Sequence, residues 1–477
     1  MKKPSPSRLR YSILAAFLIA ATLISGCVHY ASLPPVAQIK PGRTTLITHA
    51  RLFDGNAHNP VRDNMDVLIA DGAIVEIGAH PLNAVASRTL DASGKTLLPG
   101  LIDFHTHIGG TESPPWRTTL HSPERNLSNF LAMGVTTIVD MGAVPTVLRS
   151  LRDKLDAGDV AGPRLAFAGK QVSVKNGHPA PMFKELLKWP LGAVAATLSV
   201  DAVTADSDFD ALAAERKNGG ASFVKLMIDQ IPLDSPTLPL ALAKRATDAA
   251  HKAGMPVAAH VGSEADFLTA LDAGVDLVAH TSYRSELTVN AINRFKASGA
   301  TQISTLRVFS NVGALAQGKS PVGDHDAKLM APEDRQAYGQ VVPEKISPLM
   351  LAYAKQVARF NDAMFENCRK IKSAGIPIVL GTDSPLVGSS AGASAHAELQ
   401  LLVERCGFTP IEALAAATSL PGKTIGAWLG LKGLGRIEQG SPADLILVEG
   451  DPTRQIRDTT RIVTVFSRGK EIERLIQ

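Results

Sequence analysis

His105 and His107 close an apolar run, Leu98-Pro-Gly-Leu-Ile-Asp-Phe-His-Thr-His-Ile-Gly-Gly110, with a single threonine between them. In an extended chain alternate side chains point to opposite faces, so both imidazoles share one face at the strand's C-terminal end. Imidazole is the commonest protein metal ligand, and two on one face suggest a metal; ordinary polar residues at a strand end would look the same. Other apolar runs also end in residues of ligand type. They are Lys225 in Phe-Val-Lys-Leu-Met, His260 in Val-Ala-Ala-His-Val-Gly, His280 in Leu-Val-Ala-His-Thr-Ser and Asp383 in Val-Leu-Gly-Thr-Asp-Ser-Pro. Each alone reads as a satisfied core or strand-end residue. Six polar residues at the matching end of five strands make a joint case for metal chemistry.

The elements that must position them recur after Gly134: a helical stretch, a small residue or proline, then a short apolar strand. The strands fall at 101–107, 136–140, 164–169, 223–228, 256–261, 277–281, 302–306 and 377–383. Helical patterns such as 238–253, 264–273 and 357–374 lie between them. Strands alternating with helices imply parallel pairing through crossover helices. Eight units are the number that closes a (β/α)8 TIM-type barrel, whose sites lie at the C-terminal ends of the strands. A doubly wound open sheet competes, but no glycine-rich dinucleotide fingerprint follows the first strand. The barrel takes residues 98–429. Segments 44–97 and 430–477 carry short alternating strands and turn signals, and form one small β-sandwich domain from both termini. Residues 310–345, after the seventh strand, are polar and rich in Gly, Pro and Asp; such a long loop is a lid or a mobile excursion.

The bulk composition, 45% hydrophobic and 20% charged, fits a globular protein with a large core. The net charge is only +4, and part of it sits in the first ten residues, so no basic stripe remains for nucleic acid. Lys2, Lys3, Arg8 and Arg10 precede an apolar stretch, 11–24, too short to span a bilayer comfortably. Ile24-Ser-Gly-Cys27 then resembles the lipobox of bacterial lipoproteins. On that resemblance residues 1–27 are a signal peptide, Cys27 is lipidated, and 28–43 tether a soluble body to the membrane at the periplasmic or extracytoplasmic face of a bacterial cell envelope. An ordinary signal peptide or an uncleaved anchor are the alternatives. Cys368 and Cys406 could pair in an oxidising compartment. Both fall in helical segments, and buried free thiols are the expectation.

Over about residues 44–470 the chain resembles the amidohydrolase superfamily, a metal-dependent barrel beside a small β-sandwich. The resemblance is carried by Leu98-Pro-Gly-Leu-Ile-Asp-Phe-His-Thr-His107, Leu380-Gly-Thr-Asp-Ser384 and Ala397-Glu-Leu-Gln. Thr409-Pro-Ile-Glu-Ala-Leu, Ala417-Thr418 and Gly435-Arg-Ile-Glu-Gln-Gly-Ser-Pro-Ala-Asp-Leu-Ile446 carry it further. Within the superfamily it is similar to the imidazolonepropionase-related prolidase and Xaa-Arg dipeptidase group. An ammonium buried among Val, Leu and Met is costly. In the resembling enzymes this lysine takes up carbon dioxide, and its N6-carboxylate bridges two cations. The resemblance implies His105, His107, Lys225 and Asp383 on one divalent ion and Lys225, His260 and His280 on the other. Nitrogen and oxygen ligands without thiolate suit zinc, with manganese or cobalt as substitutes. The implied nucleophile is a metal-bridging hydroxide, with Asp383 moving a proton from it to the leaving amine.

His178, in Asn-Gly-His-Pro, follows the third strand and could hydrogen-bond the substrate carbonyl; the proline after it departs from the resembling group. Tyr283, Arg284 and Arg307 follow strands six and seven, where an arginine could clamp a carboxylate in bidentate fashion. His396 reads as a helix-packing residue and Asp103 as an orienting one. The substrate expected is a small molecule or short peptide, cut at an amide bond in a dipeptide or N-acyl amino acid. Lactone or phosphoester hydrolysis, deamination of a cyclic amidine, and non-catalytic ligand binding by a lipoprotein are the alternatives. A homo-oligomer is compatible with all of these.

Overall fold

The computed structural model describes residues 29–30, 33–117, 119–187 and 189–476. Cys27 and the apolar stretch before it, on which the expected lipid anchor rests, lie outside the described residues. Among the described residues no helix is long and apolar enough to cross a membrane.

Eight parallel strands make the barrel wall: β1 (Leu101–Thr111), β2 (Val135–Asp140), β3 (Arg164–Phe167), β4 (Val224–Met227), β5 (Val257–His260), β6 (Leu277–Ala279), β7 (Thr301–Ile303) and β8 (Ile378–Val379). Most are short and buried throughout, as strands covered on both faces must be. Neighbours pair in sequence order, with Leu101 opposite Val135, Met227 opposite His260 and His260 opposite Ala279. Two seams are closed by backbone bonds outside the regular ladders of these strands. Ser222 N–H donates to the Phe167 carbonyl at 2.8 Å between β3 and β4, and Phe104 N–H donates to the Leu380 carbonyl at 2.9 Å between β8 and β1. Among the strands not anticipated are Gln171–Ser173, Val200–Ala202 and Ser384–Leu386; the first extends the wall to β4 and the last pairs with β1.

Both chain ends build one nine-stranded sheet beside this barrel. Lys95–Pro99 lies between Leu445–Glu449 and Thr45–Leu52, so the first and last parts of the chain interleave. Ile47, Val67, Ile74, Leu97, Leu445 and Phe466 form its core. The fold is therefore a (β/α)8 barrel with a small β-domain.

Three expectations need correction. Within the segment read as a tether, Ala37–Ile39 is a strand paired with Lys470–Arg474; its run is too short for a periodicity to show. The segment 310–345 is not a structureless loop. It holds Leu306–Ala316, Asp324–Leu329 and Pro332–Tyr338 as helices, with Leu329, Met330 and Tyr338 buried. Helices of six or seven residues between Gly and Pro leave too little sequence for a 3.6-residue pattern to emerge. Finally, Cys368 and Cys406 form a disulfide with their Cα atoms 5.5 Å apart. A helical setting does not keep thiols apart when the two helices, Asn361–Ser373 and Ala393–Cys406, pack side by side.

Candidate metal centre

The first ligand candidates come from β1. His105 Nε2 lies 3.3 Å and His107 Nε2 3.0 Å from the same Asp383 oxygen, so the two imidazoles share one face. Asp383 is brought there by the chain just past β8, whose N–H donates to the His105 carbonyl at 2.7 Å. Asp103 pins the same seam: its carboxylate accepts from the His105 N–H at 3.1 Å and from the Thr382 N–H at 3.0 Å. It is a structural residue, as its position suggested.

From the other side come His260 at the end of β5 and His280 just beyond β6. His280 Nε2 is 2.8 Å from His260 Nδ1, and the His280 ring centroid is 4.6 Å from that of His105. His105, His280 and Asp383 offer ligand atoms that all lie within 4.8 Å of one another. His280 Nδ1 bonds the Thr305 hydroxyl at 2.7 Å, which fixes the ring's orientation. Thr305 is held in turn at the start of Leu306–Ala316, where Glu398 accepts from the Leu306 and Arg307 N–H groups at 2.7 and 2.8 Å. That is the task of the glutamate in the Ala397-Glu motif.

Backbone strain collects at this point. His280 (φ 79°), Thr305 (φ 52°) and Asp383 (φ 60°) occupy the left-handed region at the ends of three barrel strands. Each such residue costs about 1–3 kcal/mol and persists where the surroundings fix it, commonly at functional sites.

Lys225 on β4 is buried, and its Nζ has no hydrogen-bond partner. Burial pushes its ammonium down to about 7, against the opposing charge of Asp383. The same burial, with Lys225 nearby, takes His105 down to about 3, and it holds His260 and His280 well below the usual histidine value. Burial thus disfavours the charged form of all three rings, the form that has no lone pair for a metal. Asp383 behaves oppositely. Burial acts to raise it, but His105 and His107 outweigh burial and keep it ionised. The donor set of neutral imidazoles, one ionised carboxylate and one amine without a partner fits divalent cations of the zinc type.

The lysine sets a pH dependence. Between about 7 and the ordinary lysine value the unfolded chain binds this proton and the folded chain does not, so stability rises with pH across that window. The slope from one such group is at most about 1.4 kcal/mol per pH unit. In metal-free protein the denaturation midpoint should climb from about pH 7 to about pH 9.5, and Lys225→Met should lose that climb. An equal climb in the variant would show that the proton resides elsewhere.

Comparison with known families matches residues 96–472 to the amidohydrolase family. The chain belongs to the amidohydrolase family. It is 25% identical over 470 residues to the ochratoxinase of Aspergillus niger, covering 91% of this chain and 88% of that one. It is 26% identical over 408 residues to the imidazolonepropionase of Geobacillus kaustophilus, covering 81% and 84%. Among solved structures, a Xaa-Pro dipeptidase with bound methionine superposes with a TM-score of 0.71 at 23% identity, covering 90% of this chain and 99% of the other. This amidohydrolase is thus a hydrolase of the class that acts on carbon–nitrogen bonds.

The remaining candidates of the amidohydrolase fall in different places. His178 is buried, its ring centroid 4.8 Å from that of His260, and its Nδ1 has no hydrogen-bond partner. Tyr283 is fully buried and its hydroxyl donates to Asp229. Arg284 is no surface arginine: it pairs with Asp229 and, at 3.0 Å, with Asp266. Arg307 points to the segment after β7, where it donates to the Pro321 carbonyl at 2.7 Å and meets Asp326 at 3.3 Å. His396 packs its helix, bonding the Thr459 hydroxyl and the Met133 carbonyl. Sequence reasoning missed Asp229 and Thr305. Asp229 stands just past β4, where a strand-end carboxylate should have drawn the same attention as Asp383. No signal marks Thr305.

Proposed function

We propose that the chain is a binuclear metal-dependent hydrolase that cuts the amide bond of a dipeptide or N-acyl amino acid. The observation that carries this reading is the buried Lys225 amine, without a partner beside three neutral imidazoles and an ionised carboxylate. A neutral amine can add carbon dioxide, forming a C–N bond and releasing a proton, and so become an anion with two oxygen ligands. His105, His107 and Asp383 would hold one cation and His260 and His280 the other, with carboxylated Lys225 shared. Two bound zinc-type cations supply a water acidic enough to attack near neutral pH and polarise a carbonyl.

The chain's own groups do the rest. Asp383 accepts the proton of the attacking water and delivers it to the leaving nitrogen, a transfer its ionised state permits. His178, buried beside His260 with one ring nitrogen unpartnered, would hydrogen-bond the substrate carbonyl. One observation favours a second reading of the leaving group. Arg284 and Arg307 are both engaged by protein carboxylates, so neither stands free to clamp a substrate carboxylate, and an uncharged amide suits the site better.

The test is a hydrolysis screen on zinc-loaded full chain with elemental analysis. It runs dipeptides and N-acyl amino acids beside the same compounds with the carboxylate amidated. Amide cleavage with two metals per chain is the expected result, and faster cleavage of the amidated set selects the second reading. Two bound metals with no amide cut, or with lactones or phosphoesters cut instead, would refute the proposal. We further propose lipidation of Cys27; mass spectrometry of the mature N-terminal peptide should find an acylated cysteine there, and an unmodified or uncleaved terminus would refute it.

A further inference from the structure

Asp229 is fully buried just beyond β4, and its two oxygens are surrounded by donors. They receive the Gln230 N–H at 2.6 Å, the Tyr283 hydroxyl, the Arg284 guanidinium and His260 Nε2 at 3.1 Å. The other nitrogen of the same ring, His260 Nδ1, faces His280 Nε2 at 2.8 Å. A carboxylate paired with a guanidinium accepts hydrogen bonds, so Asp229 takes the His260 Nε2–H as a donor. The proton of His260 therefore sits on Nε2, and the Nδ1 lone pair is aimed into the ligand cluster. We infer that Asp229 is a positioning residue that sets the tautomer and direction of His260, with Tyr283 and Arg284 holding its carboxylate still.

A second observation comes from the backbone. A Cβ on Gly262 would lie 2.4–2.6 Å from the Asp229 carboxylate, so this position has room only for glycine. The Gly262 carbonyl in turn accepts the N–H groups of Tyr283 and Arg284 at 3.0 and 2.9 Å. The loops after β5 and β6 are both shaped around one carboxylate. Tyr283 is itself immobilised: Phe309 stacks on its ring at 3.5 Å, and the Tyr353 hydroxyl donates to its oxygen at 3.3 Å. Two donors meet each Asp229 oxygen, which fills its acceptor sites and makes it a support for His260 and not a site for a substrate ammonium.

The inference rests on the metal reading above. Full chain is stripped with a chelator and titrated with Co2+, followed by visible absorption and by stoichiometry after dialysis. Wild type should take two ions per chain. Asp229→Ala should bind one of them about 10–100-fold more weakly, with an altered ligand-field spectrum. Asp229→Asn, whose carbonyl oxygen still accepts the Nε2 proton, should fall between the two, a graded rescue that a general packing role would not give. Thermal melting checks the fold. Should the alanine variant unfold, the ordering of wild type, Tyr283→Phe and Asp229→Asn supplies the same reading, each weaker than the one before. Wild type taking up no Co2+ overturns the metal reading itself. Wild type taking two, with the variants binding as tightly and with its spectrum, overturns the positioning role alone.

Discussion

Asp383→Asn should lower kcat by about 100- to 10,000-fold, the range ascribed to a positioned acid–base group, while KM changes far less. The amide keeps the shape of the carboxylate but cannot take up a proton. Asp383 faces His105 at 3.3 Å and His107 at 3.0 Å, and these neighbours keep it charged against the pull of burial. Because the same residue is a candidate ligand, turnover has to be expressed per bound metal, with elemental analysis on each sample. A variant that holds its metal and retains near-full kcat would remove the proton-transfer role. A variant that loses metal in proportion to activity would make Asp383 a ligand only.

Lys225→Met should take the chain from two metals to one or none and reduce turnover by at least about 100-fold, since loss of a supporting outer partner alone costs 10- to 100-fold. Methionine matches the length and apolar character of the four-carbon lysine stem, with a thioether in place of one methylene, and lacks the amine, so the fold should survive. It should even gain stability near neutral pH, because a buried amine without a partner is a cost that methionine lacks. Metal-free wild type should recover activity faster with added bicarbonate, whereas the variant should ignore it. Full metal content in Lys225→Met, or recovery indifferent to bicarbonate, would mean that the amine is not carboxylated.

Much of this was legible before any coordinates. A strand that ends in His, Lys or Asp after an apolar run announces both an element and a site, because barrel strands are buried on both faces and exposed only at their tips. That signal located β1, β4, β5, β6 and β8, with His105, His107, His260, His280 and Asp383 close to one another and Lys225 buried on its strand. It failed where chemistry depends on partners remote in sequence. Arg284 reads as an ordinary loop arginine until Asp229, 55 positions earlier, is found beside it. Cys368 and Cys406 lie on two helices, and only the packing of those helices decides whether the sulfurs meet. Asp324–Leu329 and Pro332–Tyr338 were invisible because each is shorter than two turns of reliable pattern. Thr305 is a threonine among many, and its importance comes entirely from what its hydroxyl touches.

The interleaved sheet made by the two chain ends constrains how the molecule can be made. Lys40 and Glu471 are bonded across it although 431 positions separate them. Synthesis runs from one terminus to the other, so Ala37–Ile39 and Lys95–Pro99 emerge long before Lys470–Arg474 and Leu445–Glu449 and wait with open hydrogen-bonding edges while the whole barrel is produced. Such edges invite association with other chains. A nascent chain halted near residue 440 would carry every candidate ligand yet leave Lys95–Pro99 without its neighbour Leu445–Glu449, an edge open to other chains until that strand is made.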